Sequence, residues 1–173
     1  MNNYRTKIKQ SRILFYLPLI AGLLISPAAT AVGVDLHALW DDRCAQCHGH
    51  AGEFSRKFLT VSDGRLQGRH HVDDLRKFMQ NHYLPEKEVE PVHDMLLAQA
   101  TTPPRFSREC TQCHGTAAEL VRNSLELRNG ILYSRKSGQS VHSFLSRHMG
   151  LAPDDVKYFD RLLARLAQEI YRP

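Results

Sequence analysis

Cys44-Ala45-Gln46-Cys47-His48 and Cys110-Thr111-Gln112-Cys113-His114 contain all four cysteines of the 173-residue chain. C-x-x-C-H is the attachment sequence of c-type haem: two thiols bond to the porphyrin vinyl groups and the adjacent imidazole binds iron from the same side. The two-residue gap sets the sulfurs about one helical turn apart. Cys44, Cys47, Cys110 and Cys113 are therefore expected to hold two covalent haems, with His48 and His114 as proximal iron ligands. Other uses of paired cysteines fit less well. Zinc-ribbon pairs usually stand some 15–20 residues apart, whereas 62 residues separate these. A thioredoxin-like centre needs a βαβ surrounding, and structural disulfides leave both histidines unexplained.

The two motifs belong to an internal repeat. Shifting the chain by 66 residues aligns 44–82 with 110–148 at 14 identities in 39 positions. Beyond the motif these include Arg56/Arg122, Gly64/Gly130, Arg69/Arg135, Phe78/Phe144 and His82/His148. Upstream, Trp40 matches Phe106, and downstream a one-residue insertion moves the offset to 67.

The repeat also selects the distal iron ligand. His50 is two residues from His48, a reach of about 7 Å, too short to pass round a macrocycle. Of the remaining histidines and methionines, only His82 and His148 are paired by the repeat, each 34 residues after its proximal partner. Each closes a Phe-x-x-x-His pattern, with Phe78 and Phe144 one helical turn earlier, so the aromatic ring is expected to pack on the porphyrin while the imidazole binds iron. Met79 reads as core. Met149 is the alternative ligand for the second haem, since a one-residue slip brings it to the iron. His70, His71, His93 and His142 have no counterpart and are expected to be solvated. Arg56, Arg69, Arg122 and Arg135 are candidate partners for haem propionates, whose carboxylates suit the guanidinium fork.

Helices must position these groups. Pro153 suits a first turn, Asp154 and Asp155 complement a helix N-terminus, and Val156, Phe159, Leu162, Leu163, Leu166 and Ile170 form an apolar stripe. The segment from Pro85 to about Gln99 follows the same pattern, with Pro91 tolerable in the first turns or at a kink. Each copy reads as a motif helix, an irregular loop holding Gly64 or Gly130, a distal helix, a turn and a terminal helix. No strand is expected. Thr101-Thr102-Pro103-Pro104 is a stiff break between the copies.

The N-terminus changes the charge balance. Arg5, Lys7, Lys9 and Arg12 precede an apolar run over 13–25 and then Ala29-Thr30-Ala31, the pattern of a secretory signal over 1–31 cleaved after about Ala31. A retained anchor is the competing reading, but 13 strongly apolar residues fall short of the roughly 20 a spanning helix needs. Export to the periplasm is expected. Without the signal the formal charge of +5 becomes +1, and haem propionates lower it further. Nucleic acid is excluded as a partner on that ground.

The paired motifs make the chain similar to an exported dihaem cytochrome c. That resemblance implies an all-α fold of two tandem cytochrome c-like modules over 32–102 and 103–173, each around one covalent haem. It implies one-electron transfer between redox proteins in the periplasm or at the membrane surface, with no small-molecule substrate and no catalysis. The distal histidine departs from the loop methionine of ordinary class I cytochromes c, and bis-His ligation implies a lower reduction potential than His/Met. The competing function is a small haem enzyme, peroxidase-like or ligand-binding, in which one distal ligand detaches.

Overall fold

A computed structural model describes residues 33–70 and 75–172; the expected signal, His71, Asp73 and Asp74 lie outside the described residues. These belong to one compact unit, Ala31–Pro173. No described helix is long and apolar enough to cross a membrane.

The element order repeats. The N-terminal copy runs α1 (Leu36–Arg43), α2 (Ala45–His48), α3 (Ala51–Phe58), β1 (Leu59–Ser62), β2 (Arg65–Gly68), α4 (Leu75–Gln80) and α5 (Glu86–Thr101). The C-terminal copy runs α6 (Arg105–Glu109), α7 (Thr111–His114), α8 (Ala117–Ser124), β3 (Leu125–Arg128), β4 (Ile131–Ser134), α9 (Val141–Leu145) and α10 (Pro153–Ile170).

The expectation of an all-α fold is overturned by two antiparallel hairpins, β1–β2 and β3–β4. Each occupies the segment expected to be an irregular loop. The turns explain them: Asp63-Gly64 have φ of 50° and 72°, and Asn129-Gly130 have 49° and 78°. Two consecutive left-handed residues make a type I′ turn, whose twist matches that of paired strands, and Asp-Gly and Asn-Gly are the dipeptides it favours. In each hairpin one leucine per strand is buried, Leu59 with Leu66 and Leu125 with Leu132.

Each copy keeps its own core. Trp40, Leu66, Met79, Val92, Met95 and Leu96 belong to the first; Phe106, Val121, Leu132, Phe159, Leu163 and Ile170 belong to the second. The two long helices supply much of it. Burial of Val156, Phe159, Leu163, Leu166 and Ile170 follows the expected stripe, with Leu162 only partly covered. Pro91 lies inside α5 beyond its first turn, where it removes the donor for the Lys87 carbonyl.

The copies are joined through α1. Asp35 caps that helix by accepting from the amides of His37 and Ala38. It also accepts from Arg122 Nε and Nη2 at 2.6 and 3.1 Å. His37 Nε2 lies 2.7 Å from Glu169 Oε2, both side chains nearly buried.

Candidate haem-binding sites

Both motifs are built alike. Cys44 and Cys110 close the first helix of each copy, each amide donating to the carbonyl of Trp40 or Phe106. The motif then winds one short helix, α2 or α7, that ends at Gly49 or Gly115 with φ near 68° and 67°. Trp40 Nε1 donates to the Gly49 carbonyl at 2.9 Å, fastening the motif to the core. The cysteines are unpaired, the first of each motif half-buried and the second exposed. Burial raises the pKa of the Cys44 and Cys110 thiols.

Each motif histidine faces the histidine 34 residues beyond it. The rings of His48 and His82 are 5.9 Å apart at 66°, and those of His114 and His148 are 5.9 Å apart at 57°. Two imidazoles bound to one metal from opposite sides have ring centres on the order of 6 Å apart, from metal–nitrogen bonds of about 2 Å and roughly 1 Å from each nitrogen to its ring centre. The residues present thus fit an iron held between two histidines. Burial, and next His82, lower the pKa of His48, which favours the neutral imidazole that ligates metals.

His82 and His148 are not on the distal helices. They sit on turns just beyond α4 and α9, their amides donating to the carbonyls of Met79 and Leu145 at 3.0 Å. Phe78 and Phe144 stack on the imidazoles themselves, at 4.7 Å and 24° and at 4.8 Å and 29°. The next residues, Tyr83 and Met149, are left-handed with φ of 58° and 55°, an uncommon conformation for bulky side chains. Both are highly exposed. Phe54 adds an edge contact to His48 at 4.6 Å, and Phe58, also exposed, packs on Phe54. Exposed apolar surface beside the paired histidines is surface that a porphyrin would cover.

The four arginines are placed differently from one another. Arg122 is committed to Asp35 of the other copy. Arg135 donates to the Leu125 carbonyl and the Tyr171 hydroxyl. Arg56 donates to the Gln99 carbonyl and lines a cavity of about 120 Å³ with His37, His50 and Arg165. Arg69 is exposed.

Met79 is buried, and His70 and His142 are exposed. His93 departs from the expectation of a solvated residue: it is 1% exposed, with Nδ1 3.3 Å from Asp94 and Nε2 without a partner. With Glu90 and Asp94 it forms a metal-type cluster, but Glu90 is already held by two bonds from Arg76. His50 is exposed and serves as the N-cap of α3. Its counterpart Thr116 caps α8 in a capping box with Glu119. For Thr116, threonine followed three residues later by glutamate was the available signal. His37, the buried link to Glu169, carries no sequence signal of its role.

No family model, curated protein or solved structure matches the chain.

Proposed function

We propose that the chain is an exported dihaem electron carrier of the periplasm, serving protein redox partners as a free shuttle or as the haem subunit of a respiratory oxidoreductase. Cys44 and Cys47 would hold one haem and Cys110 and Cys113 the other, with His48 and His114 as proximal ligands and His82 and His148 as distal ones. The chemistry such groups supply is one-electron exchange between ferric and ferrous iron. The observation that carries the reading is the recurrence of the 5.9 Å histidine pair, in the same register, in both copies. Held by His48 with His82, and by His114 with His148, each iron would offer dioxygen and peroxide no open site. Phe78 and Phe144, stacked on the distal rings, hold the imidazoles in place.

A second reading, a small haem enzyme, rests on the distal ligands lying on turns rather than helices, where detachment displaces little structure. Spectroscopy separates the two. The carrier should contain two covalent haems per chain by pyridine haemochrome assay and show low-spin ferric iron with no sulfur-to-iron band. His82→Ala and His148→Ala should each turn one haem high-spin. Fewer than two covalent haems would overturn the proposal, and rapid carbon monoxide binding by the unmodified protein would favour the enzyme.

A further inference from the structure

Charge is unevenly divided between the copies. Residues 32–102 carry 8 Lys and Arg against 11 Asp and Glu, a balance of −3, whereas 103–173 carry 11 against 7, a balance of +4. Each haem would add the same propionates to its own copy, so the contrast survives loading.

Pairing sharpens it. Each of the seven acids of the C-terminal copy has a partner: Lys or Arg for Glu109, Glu126, Asp154, Asp155 and Glu169, the His142 ring for Asp160 and the α8 cap for Glu119. Arg108, Lys136, Arg147 and Arg161 are exposed there, with no carboxylate at ion-pair distance among the described residues. The N-terminal copy exposes acids and bases alike, Asp41, Asp42 and Glu86 beside Arg65 and Lys87.

Two of these cations neighbour the second motif and its distal histidine in sequence. Arg108 stands two residues before Cys110, where the N-terminal copy has Asp42; Arg147 immediately precedes His148, where it has Asn81. Arg147 adjoins His148, whose ring meets that of His114, and α6, which carries Arg108, contacts α7. Cations grouped beside a site favour the docking of a protein of opposite charge. A membrane surface would call for an unpartnered amphipathic helix, and the apolar face of α10 is buried in the core.

We propose that the C-terminal copy docks an acidic one-electron redox protein over the His114–His148 pair, through Arg108 and Arg147, and that the N-terminal copy serves a different partner. The inference rests on the two-haem reading above. Exposed cations near the site raise encounter rates with an anionic partner and lose that effect as salt screens them.

The test uses the holoprotein with poly-L-glutamate as a protein-sized acidic probe, followed by amide NMR at low ionic strength. Shifts are expected in the segments holding Arg108 and Arg147. R108E/R147E should weaken binding about tenfold or more, while R65E/K87E, an equal charge change in the N-terminal copy, should leave it within about twofold. Stopped-flow oxidation of the reduced protein by hexacyanoferrate(III) adds a second readout: the phase that His148→Ala alters should be the one slowed by R108E/R147E. Equal effects of the two double variants would reduce the contrast to net charge and overturn the inference. Binding to anionic phospholipid vesicles at physiological salt, lost in R108E/R147E, would overturn the choice of a protein partner. A chain without two haems would instead fell the electron-carrier reading, and this inference with it.

Discussion

Phe78 and Phe144 each cover one face of a distal imidazole. An aromatic pair of this kind contributes about 0.5–1.5 kcal/mol beyond the area it buries, and it would fix the angle of a ring that, on the proposed reading, binds iron. Phe78→Ala and Phe144→Ala should each broaden the low-spin ferric EPR signal and lower the thermal midpoint of the holoprotein by a few degrees. Unchanged EPR in both variants would mean that the stack does not orient the ligand. The histidine pairs were legible because the repeat compares each position with its own copy, and beyond the motif itself His82 and His148 are the only histidines or methionines that recur. The arginines were not legible for the same reason. Arg56 and Arg122 recur as residues, but their partners do not: Gln99 receives one, and Asp35 of the other copy receives the other. Aligning a chain with itself shows what is repeated, not what crosses between the repeats.

The hairpins show where element-scale patterning runs out. Each strand is four residues long with one buried leucine, so the alternation that marks a half-buried strand never runs long enough to be seen. The turn carried the information instead, in Asp63-Gly64 and Asn129-Gly130. Gly64 and Gly130 need positive φ, at 72° and 78°, and a Cβ there would meet nothing within 4 Å. Replacement by alanine therefore costs backbone strain alone, about 1–2 kcal/mol. Gly64→Ala and Gly130→Ala should lower the midpoint by several degrees in this small domain while leaving the haem spectrum unchanged. A loss below about 0.3 kcal/mol would mean that the turns are not held as type I′. The terminal helices were far easier to read, because an apolar stripe over 18 residues and an acidic first turn agree with each other.

At the scale of the whole molecule, two separate cores are held together by polar contacts that run through α1. Asp35 is the centre of these, capping α1 and accepting both bonds from Arg122. Burial pushes its carboxyl pKa up, but the hydrogen bonds from Arg122 and the Ala38 amide outweigh that, and the net shift is below the ordinary carboxylate value. A carboxyl depressed in the folded state adds stability that is fully present above its unfolded pKa, about 3.9, and is lost as pH falls through the folded value. Both partners are partly exposed, so the ion pair contributes on the order of 1 kcal/mol, and the cap contributes about as much again. Asp35→Asn keeps a capping side chain but removes the charge. It should cost about 1 kcal/mol at neutral pH, with the deficit shrinking below about pH 4 because the unmodified protein loses the same interaction on protonation. Thermal midpoints of the two holoproteins from pH 7 to pH 3 give the comparison. Curves that run parallel down to pH 3 would show that the Asp35 charge does not help hold the copies together.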